Sequence, residues 1–404
     1  MDLLRNTIQP YAWGSATAIA ELLGVDNPEG TPQAELWMGA HPTAPSRLER
    51  DGAETTLEAV IAADPVGELG AATAGRFGGR LPFLLKVLAA RKALSIQLHP
   101  DRAQAEAGFA AEEARGVPRG VRERVYVDSW PKPEVLCALT PFEVLAGLRP
   151  AAEAAEIVDQ LGVEPLRGLV KELQSAPEPA TVARALATLL QWPRDERTAL
   201  VDRVVSAAEC FAAEPGDFQA AYEAIGRMAE DHPGDIGLVC SLLMNHAVVQ
   251  PGQALFMGAG GVHAYIRGTG VELMANSDNV IRAGLTPKHI DVPELVRVLD
   301  PGVEVPVLTA HRDVGGDGDG VAQFDTPVPE FRLWHLTVQG ELRVPGNGLP
   351  RILLCVEGSA SATADAGRRL ELSRGSSCFL SASDAAVTLT GDARLFLASP
   401  GGYS

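Results

Sequence analysis

The stretch PGQALFMGAGGVHAYIRGTGVELMANSDNVIRAG, Pro251–Gly284, decides how the fold is read. Short apolar runs alternate in it with glycine-rich breaks, the punctuation of strands joined by tight turns. Successive side chains of a strand point to opposite faces. His263 and Tyr265 therefore share a face, just after a glycine turn that lets the backbone bend tightly. Further along, Glu272 interrupts an apolar strand, SDN makes a turn, and Arg282 and then Lys288 follow. Polar groups stand here on strands where apolar ones are expected.

Outward from this stretch the texture divides the chain. Residues 1–149 mix short apolar runs with Gly and Pro breaks, as in AELWMGAHP and RLPFLLKVLAARKALSIQLHP, and read as mainly β. From 150 to 236 the pattern becomes helical, with AAEAAEIVDQLG, TVARALATLLQ and ERTALVDRVVSAAECFAA separated by Pro and Gly. Strand texture returns over 237–304, and 305–404 reads as a second, smaller β-domain. The fold class expected is mainly β with an α-helical insert: one β-domain interrupted by helices, then another. HRDVGGDGDGVAQF, 311–324, reads as a flexible loop near the junction that lacks the spacing of a calcium-binding loop.

The chain has 404 residues, 46% hydrophobic and 21% charged, enough for two or three domains at roughly 100–200 residues each. No run approaches the ~20 apolar residues of a membrane span. The opening MDLLRNTIQPYAWGS carries no secretion signal, so a cytoplasmic protein is expected. Cys137, Cys210, Cys240, Cys355 and Cys378 are scattered without a CxxC pair and are expected to be buried thiols. The net charge of −18 argues against nucleic acid or an anionic membrane as partner, so an anionic small substrate needs a local basic pocket. Lysine occurs only at Lys86, Lys92, Lys132, Lys171 and Lys288, the remaining basic charge being arginine. Lys171, on a helical face, reads as surface.

Two more segments join the first. In SIQLHPD, Ser95–Asp101, Gln97 and His99 share one face while Ile96 and Leu98 share the other. Unpaired in a core, each polar group would cost about 1–3 kcal/mol. A mutual hydrogen bond answers that on this segment alone, and a metal is the other partner that could. In WPKPEVLCAL, Trp130–Leu139, Lys132 and Glu134 share a face between prolines that suggest an edge or a bulge. Together Gln97, His99, Glu134 and His263 offer oxygen and nitrogen donors suited to zinc or a related divalent ion. Only one of them is anionic, which leaves such a site positive and open to a water or substrate oxygen.

YAWGS, AELWMGAHP, PFLLK, LSIQLHPD, KPE and HAYIRGTGVELMANSDNVIRAGLTPKHID, in this order, resemble the motif series of the type I mannose-6-phosphate isomerases, zinc-dependent members of the cupin superfamily. The resemblance implies two packed cupin-like, jelly-roll β-barrels with a helical domain inserted into the first. It implies one zinc ion per chain, held by Gln97, His99, Glu134 and His263. The implied reaction interconverts mannose 6-phosphate and fructose 6-phosphate by moving a proton between C2 and C1 through a cis-enediol(ate).

By the same resemblance Glu272, Lys132 and Asp278 are candidates for the proton shuttle, with His99 and Tyr265 nearby. Arg282, Lys288, Lys86 and Ser95 are candidates for the phosphate, with Arg282 either its clamp or the enediolate stabiliser. Trp13, Glu35, Trp37 and His41 read as scaffold, and His232, His246, His289, His311 and His335 as structural. Lys92 reads as surface. Where the family often has a histidine before KPE this chain has Pro131, so any help with ring opening must come from elsewhere. The protein is expected to act as a monomer on a small sugar phosphate. A sensor that binds the sugar without turnover is the alternative reading, and an iron-dependent cupin dioxygenase a third.

Overall fold

The computed structural model describes residues 1–312, 320–365 and 367–402. The central part of the 311–324 loop therefore lies outside the described residues. Two large sheets, a two-stranded hairpin of Arg47–Arg50 with Ala53–Thr56, and a set of helices make up the described residues. The first sheet has eleven strands, its main path running Val307–Thr309, Gln253–Met257, Glu134–Ala138, His263–Ala275, Phe83–Ala90, Glu35–Gly39, Thr7–Gln9. Ile96–Leu98, Phe142–Leu148, Met244–Val249 and Ile281–Gly284 join it off this path. The second sheet has eight strands, built round Arg332–Val344, Arg351–Ala364 and Val387–Ser399. Its edge strand is Asp2–Leu4, which pairs with Ser377–Leu380, so the first strand of the chain belongs to the second sheet.

The alternation in the strands sorts their side chains into two layers. Leu85, Val87, Val135, Cys137, Val271 and Leu273 form one core with Phe331, Leu333, Ile352, Leu354, Phe379 and Phe396 of the second sheet. The two sheets thus stand back to back. Residues next to these in sequence must face the other way, and they include Lys86, Glu134 and Glu272. At about 1.5–3 kcal/mol for each large apolar side chain buried, the shared core offsets the cost of a polar interior on the opposite face.

Helices Ala151–Gln160, Arg167–Ser175, Pro179–Leu190, Arg194–Ala212 and Gln219–Asp231 pack into another core. That core takes in Ile96, Leu98, Ala264, Ile266 and Ile281. The helices therefore cover the back of the strands that carry Gln97, His263 and Arg282. Cys137, Cys240, Cys355 and Cys378 are buried, but Cys210 is exposed, because it falls on the outer face of Arg194–Ala212. No helix among the described residues is long and apolar enough to cross a membrane.

Candidate metal centre and its pocket

The strand Ile96–Leu98 lies between Ile281–Gly284 and the start of His263–Ala275. Gln97 pairs directly with His263 on one side and with Arg282 on the other. Directly opposite residues share a face with Cβ atoms about 4.5–5.5 Å apart, so Arg282, Gln97 and His263 form one row across three strands. Just beyond this strand His99 is held by the next element. Asp101 caps helix Arg102–Ala114, its carboxylate accepting from Gln104 N at 2.7 Å while the Gln104 side chain accepts from Asp101 N at 2.9 Å. This capping box fixes the turn after His99 and Pro100.

His99, Glu134 and His263 converge, their nearest ligating atoms all within 4.8 Å of one another. Glu134 Oε2 is 3.4 Å from His99 Nε2 and 3.3 Å from His263 Nε2. These three atoms are buried and none has a hydrogen-bond partner. The other ring nitrogens are spent: His99 Nδ1 donates to Asn279 O at 2.8 Å, and His263 Nδ1 donates to Gly261 O at 3.1 Å. Each Nε2 therefore presents a lone pair to the same point, the arrangement of metal-ligating imidazoles held by carbonyls. Donors about 2.0–2.2 Å from one tetrahedral zinc lie about 3.3–3.6 Å apart. The observed separations from Glu134 fit that value.

The charge states agree. Burial pulls His99 down to about 4, with Lys132 and His263 adding to the effect, so the ring is neutral at neutral pH. Burial works to protonate Glu134, but the Lys132 ammonium outweighs it and holds the carboxylate well below its usual range. Lys132 Nζ is 3.0 Å from Glu134 Oε1, leaving Oε2 for the convergence point. A cation is the partner that three buried acceptors demand.

Next to Glu134 on its strand face is Leu136, and in its row Trp37, Lys86, Glu272 and Leu136 stand opposite one another on four strands. Lys86 Nζ is 3.5 Å from Glu272 Oε2, and Tyr265 OH donates to Glu272 Oε1 at 2.9 Å. Burial raises Glu272 to about 7, with Glu134 and Glu35 adding to it and Lys86 opposing. Burial also raises the Tyr265 phenol, which keeps its proton and stays a donor. Lys86 thus stands with the buried carboxylates Glu272 and Glu35, away from the row of Arg282.

The other two cations differ. Arg282 is lowered by burial alone, and Lys288 by burial and then by Arg282. Among the described residues neither has a carboxylate within ion-pair distance. Their loop is pinned from below: Asp235 accepts from Leu285 N at 3.0 Å and from Thr286 N at 2.9 Å. Gly284 has φ +137, and a Cβ there would lie 2.6 Å from Gly237 Cα, so only glycine allows this approach. Leu285 follows at φ 52, a left-handed conformation that costs a non-glycine residue about 1–2 kcal/mol. Ser95 precedes the strand paired with this segment and makes no side-chain hydrogen bond within the described residues.

Several residues read only as scaffold, or not read at all, support the site. Glu35 lies 3.5 Å from Lys86 and accepts from Trp37 Nε1 at 2.6 Å. His41 Nε2 is 3.3 Å from Asp278 Oδ2, and its ring packs edge-on against Trp37. Although burial works against it, His41 then holds Asp278 below its usual value, with Lys132 and Lys86 assisting. Asp128 accepts from Ser277 Oγ at 2.9 Å and from Asp278 N at 2.9 Å, and Asn279 Nδ2 donates to Asp128 O and Trp130 O. No periodicity betrays these partners, since each answers a residue far along the chain. His232 bonds Ala93 O, His246 bonds Glu143, and His335 packs on Phe396, all apart from the cluster.

Residues 1–151 match the phosphomannose isomerase type I catalytic domain, and residues 321–400 match the mannose-6-phosphate isomerase cupin domain. The chain is 40% identical over 405 residues to the mannose-6-phosphate isomerase of Salmonella typhimurium, covering 98% of each. Its fold superposes on a single-substitution form of the phosphomannose isomerase of Salmonella typhimurium with a TM-score of 0.91, at 35% identity over 100% of both chains. It superposes equally on a zinc-bound mannose 6-phosphate isomerase, TM-score 0.89, at 35% identity over 99% of both.

Proposed function

The chain belongs to the type I mannose-6-phosphate isomerase family, and from that premise we propose how its pocket interconverts mannose 6-phosphate and fructose 6-phosphate. The observation that supports it most is three convergent, unsatisfied metal donors one row from a protonatable Glu272. His99, Glu134 and His263, with Gln97 beside His263, hold one divalent metal. Bound zinc supplies a positive centre that offsets oxyanion charge on the sugar.

The protein's own groups do the rest. Arg282 and Lys288, without a carboxylate partner among the described residues, bind the phosphate, the guanidinium gripping two oxygens and the ammonium adding a mobile point charge. Ser95 adds a hydroxyl at the same end. Glu272 takes the proton from one carbon and returns it to its neighbour, because a proton affinity near neutrality suits both halves of a shuttle, while the hydroxyl proton passes from the oxygen that becomes the carbonyl to the one that becomes the hydroxyl. Asp278, held ionised, is a poor base by the same rule. Tyr265 orients the Glu272 carboxylate, and Lys132 orients Glu134. Lys86, facing Glu272, donates hydrogen bonds to the charge that develops on the sugar oxygens. The enediol(ate) remains sheltered from water by the buried row of Trp37, Lys86 and Glu272.

The test uses zinc-loaded protein and fructose 6-phosphate, with mannose 6-phosphate as the product measured. The unaltered chain is expected to convert the sugar, and Glu272→Gln to lose about 10²–10⁴-fold in kcat with zinc content unchanged. Near-normal turnover in Glu272→Gln would transfer the proton to another group. Sugar bound but never converted by the unaltered chain would revive the sensor reading.

A further inference from the structure

Glu35 takes no part in the steps above, yet it shares the buried Lys86 ammonium with Glu272. Lys86 stands directly opposite Glu272 on one side and Trp37 on the other. Its Nζ lies 3.5 Å from Glu272 Oε2, 3.5 Å from Glu35 Oε2 and 5.1 Å from the centroid of Trp37. Glu35 and Lys86 are each 6% exposed, and Glu272 is 3% exposed. A simple buried ion pair needs one carboxylate for one ammonium, and here two compete for it. The Trp37 Nε1 bond to Glu35 Oε2 at 2.6 Å holds the second carboxylate against Lys86 from below.

Resting on the assignment of Glu272 as the shuttle, we propose that Glu35 is a positioning residue for the isomerisation. It fixes the Lys86 ammonium and shares its charge, so that Glu272 can gain and lose a proton instead of being locked as the ionised half of a salt bridge. The groups facing Glu272 make the sense of the effect plain. Lys86 acts from strand Phe83–Ala90, with Glu35 behind it on Glu35–Gly39. Glu134 and, just before it, Lys132 act from the other neighbouring strand, and Tyr265 from the earlier half of its own strand. Lys86 and Lys132 favour ionised Glu272, while Glu35 and Glu134 oppose it. Burial works to discharge Lys86, but Glu35 first, then Glu272 and Glu134, keep it charged. Removing the Glu35 charge therefore tips the set towards a permanently ionised Glu272.

Glu35→Gln keeps an acceptor for Trp37 and removes only the charge. It is expected to lower kcat by about tenfold or more while KM for fructose 6-phosphate stays within about twofold and zinc content is unchanged. The acidic limb of its kcat/KM profile should move to lower pH by about one unit, and Glu35→Asp should return that limb to its original place. A drop in melting temperature with an unmoved limb would make Glu35 structural and overturn the proposal. If Glu35→Gln fails to fold, Trp37→Phe frees the carboxylate without changing its charge. That variant should lose kcat with the limb in place, and wild-type kcat there would overturn the proposal. Glu272→Gln, assayed alongside, separates the two readings. If it is active, the shuttle assignment falls; if it is inactive while Glu35→Gln keeps both kcat and limb, only the role of Glu35 falls.

Discussion

The cations of this site fall into two kinds, those paired with a carboxylate and those without one among the described residues. Lys86 and Lys132 lie against Glu272 and Glu134, whereas Arg282 and Lys288 have no such partner among the described residues. A half-buried guanidinium without a counter-ion bears a desolvation cost that an anionic ligand relieves. Arg282→Ala is accordingly expected to raise KM for the sugar phosphate by about 10–100-fold, the loss of one or two charge-assisted hydrogen bonds at about 1.5–3 kcal/mol. Initial-rate kinetics with a zinc determination check it, and unaltered KM with full zinc would take Arg282 out of the phosphate contact. The types of these residues were legible in the sequence. Which cations are paired was not, because Glu35 and Glu272 reach Lys86 from strands distant in the chain.

At the scale of single elements, the two-residue alternation of SIQLHPD already separates Gln97 and His99 from Ile96 and Leu98, and the structure gives the reason for each face. Ile96 and Leu98 enter the helical core, while His99 meets Glu134 and His263. The alternation does not reveal what holds His99 in orientation. That falls to the turn Ser277–Asn279, clipped by Asp128, through the carbonyl of Asn279. Asp128 touches no metal donor, yet outer partners of this kind typically contribute 10–100-fold in metal affinity. Asp128→Ala should therefore lose zinc about 10–100-fold more readily to a competing chelator while retaining its secondary structure by circular dichroism. Unchanged zinc retention would mean that the turn holds its shape without the clip.

For the whole molecule, the change from strand to helix and back was visible in composition, since strands and helices differ in apolar period and in their Gly and Pro punctuation. The packing of two β-units was legible only through the family resemblance, and the pairing of Asp2–Leu4 with Ser377–Leu380 was not legible at all, because pairing between distant segments leaves no local signal. Asp2–Leu4 straps the start of the chain to Ser377–Leu380, and Asp2 pairs with Arg50 at 2.7 Å and with Arg368 at 3.3 Å. Phe379 lies in the strapped strand and in the core between the sheets, fully buried. The strands whose outer faces form this core carry Glu134, Lys86 and Glu272 on their inner faces, so the metal site and the second sheet share one stability. Phe379→Ala should cost about 3–5 kcal/mol and lower the temperature of a single transition in which zinc release and loss of β-structure coincide. Calorimetry with a zinc-sensitive dye decides the point. If the second sheet melted first while the first kept its zinc, the sheets would be independent units in contact, and the strap and shared core would stabilise only the second.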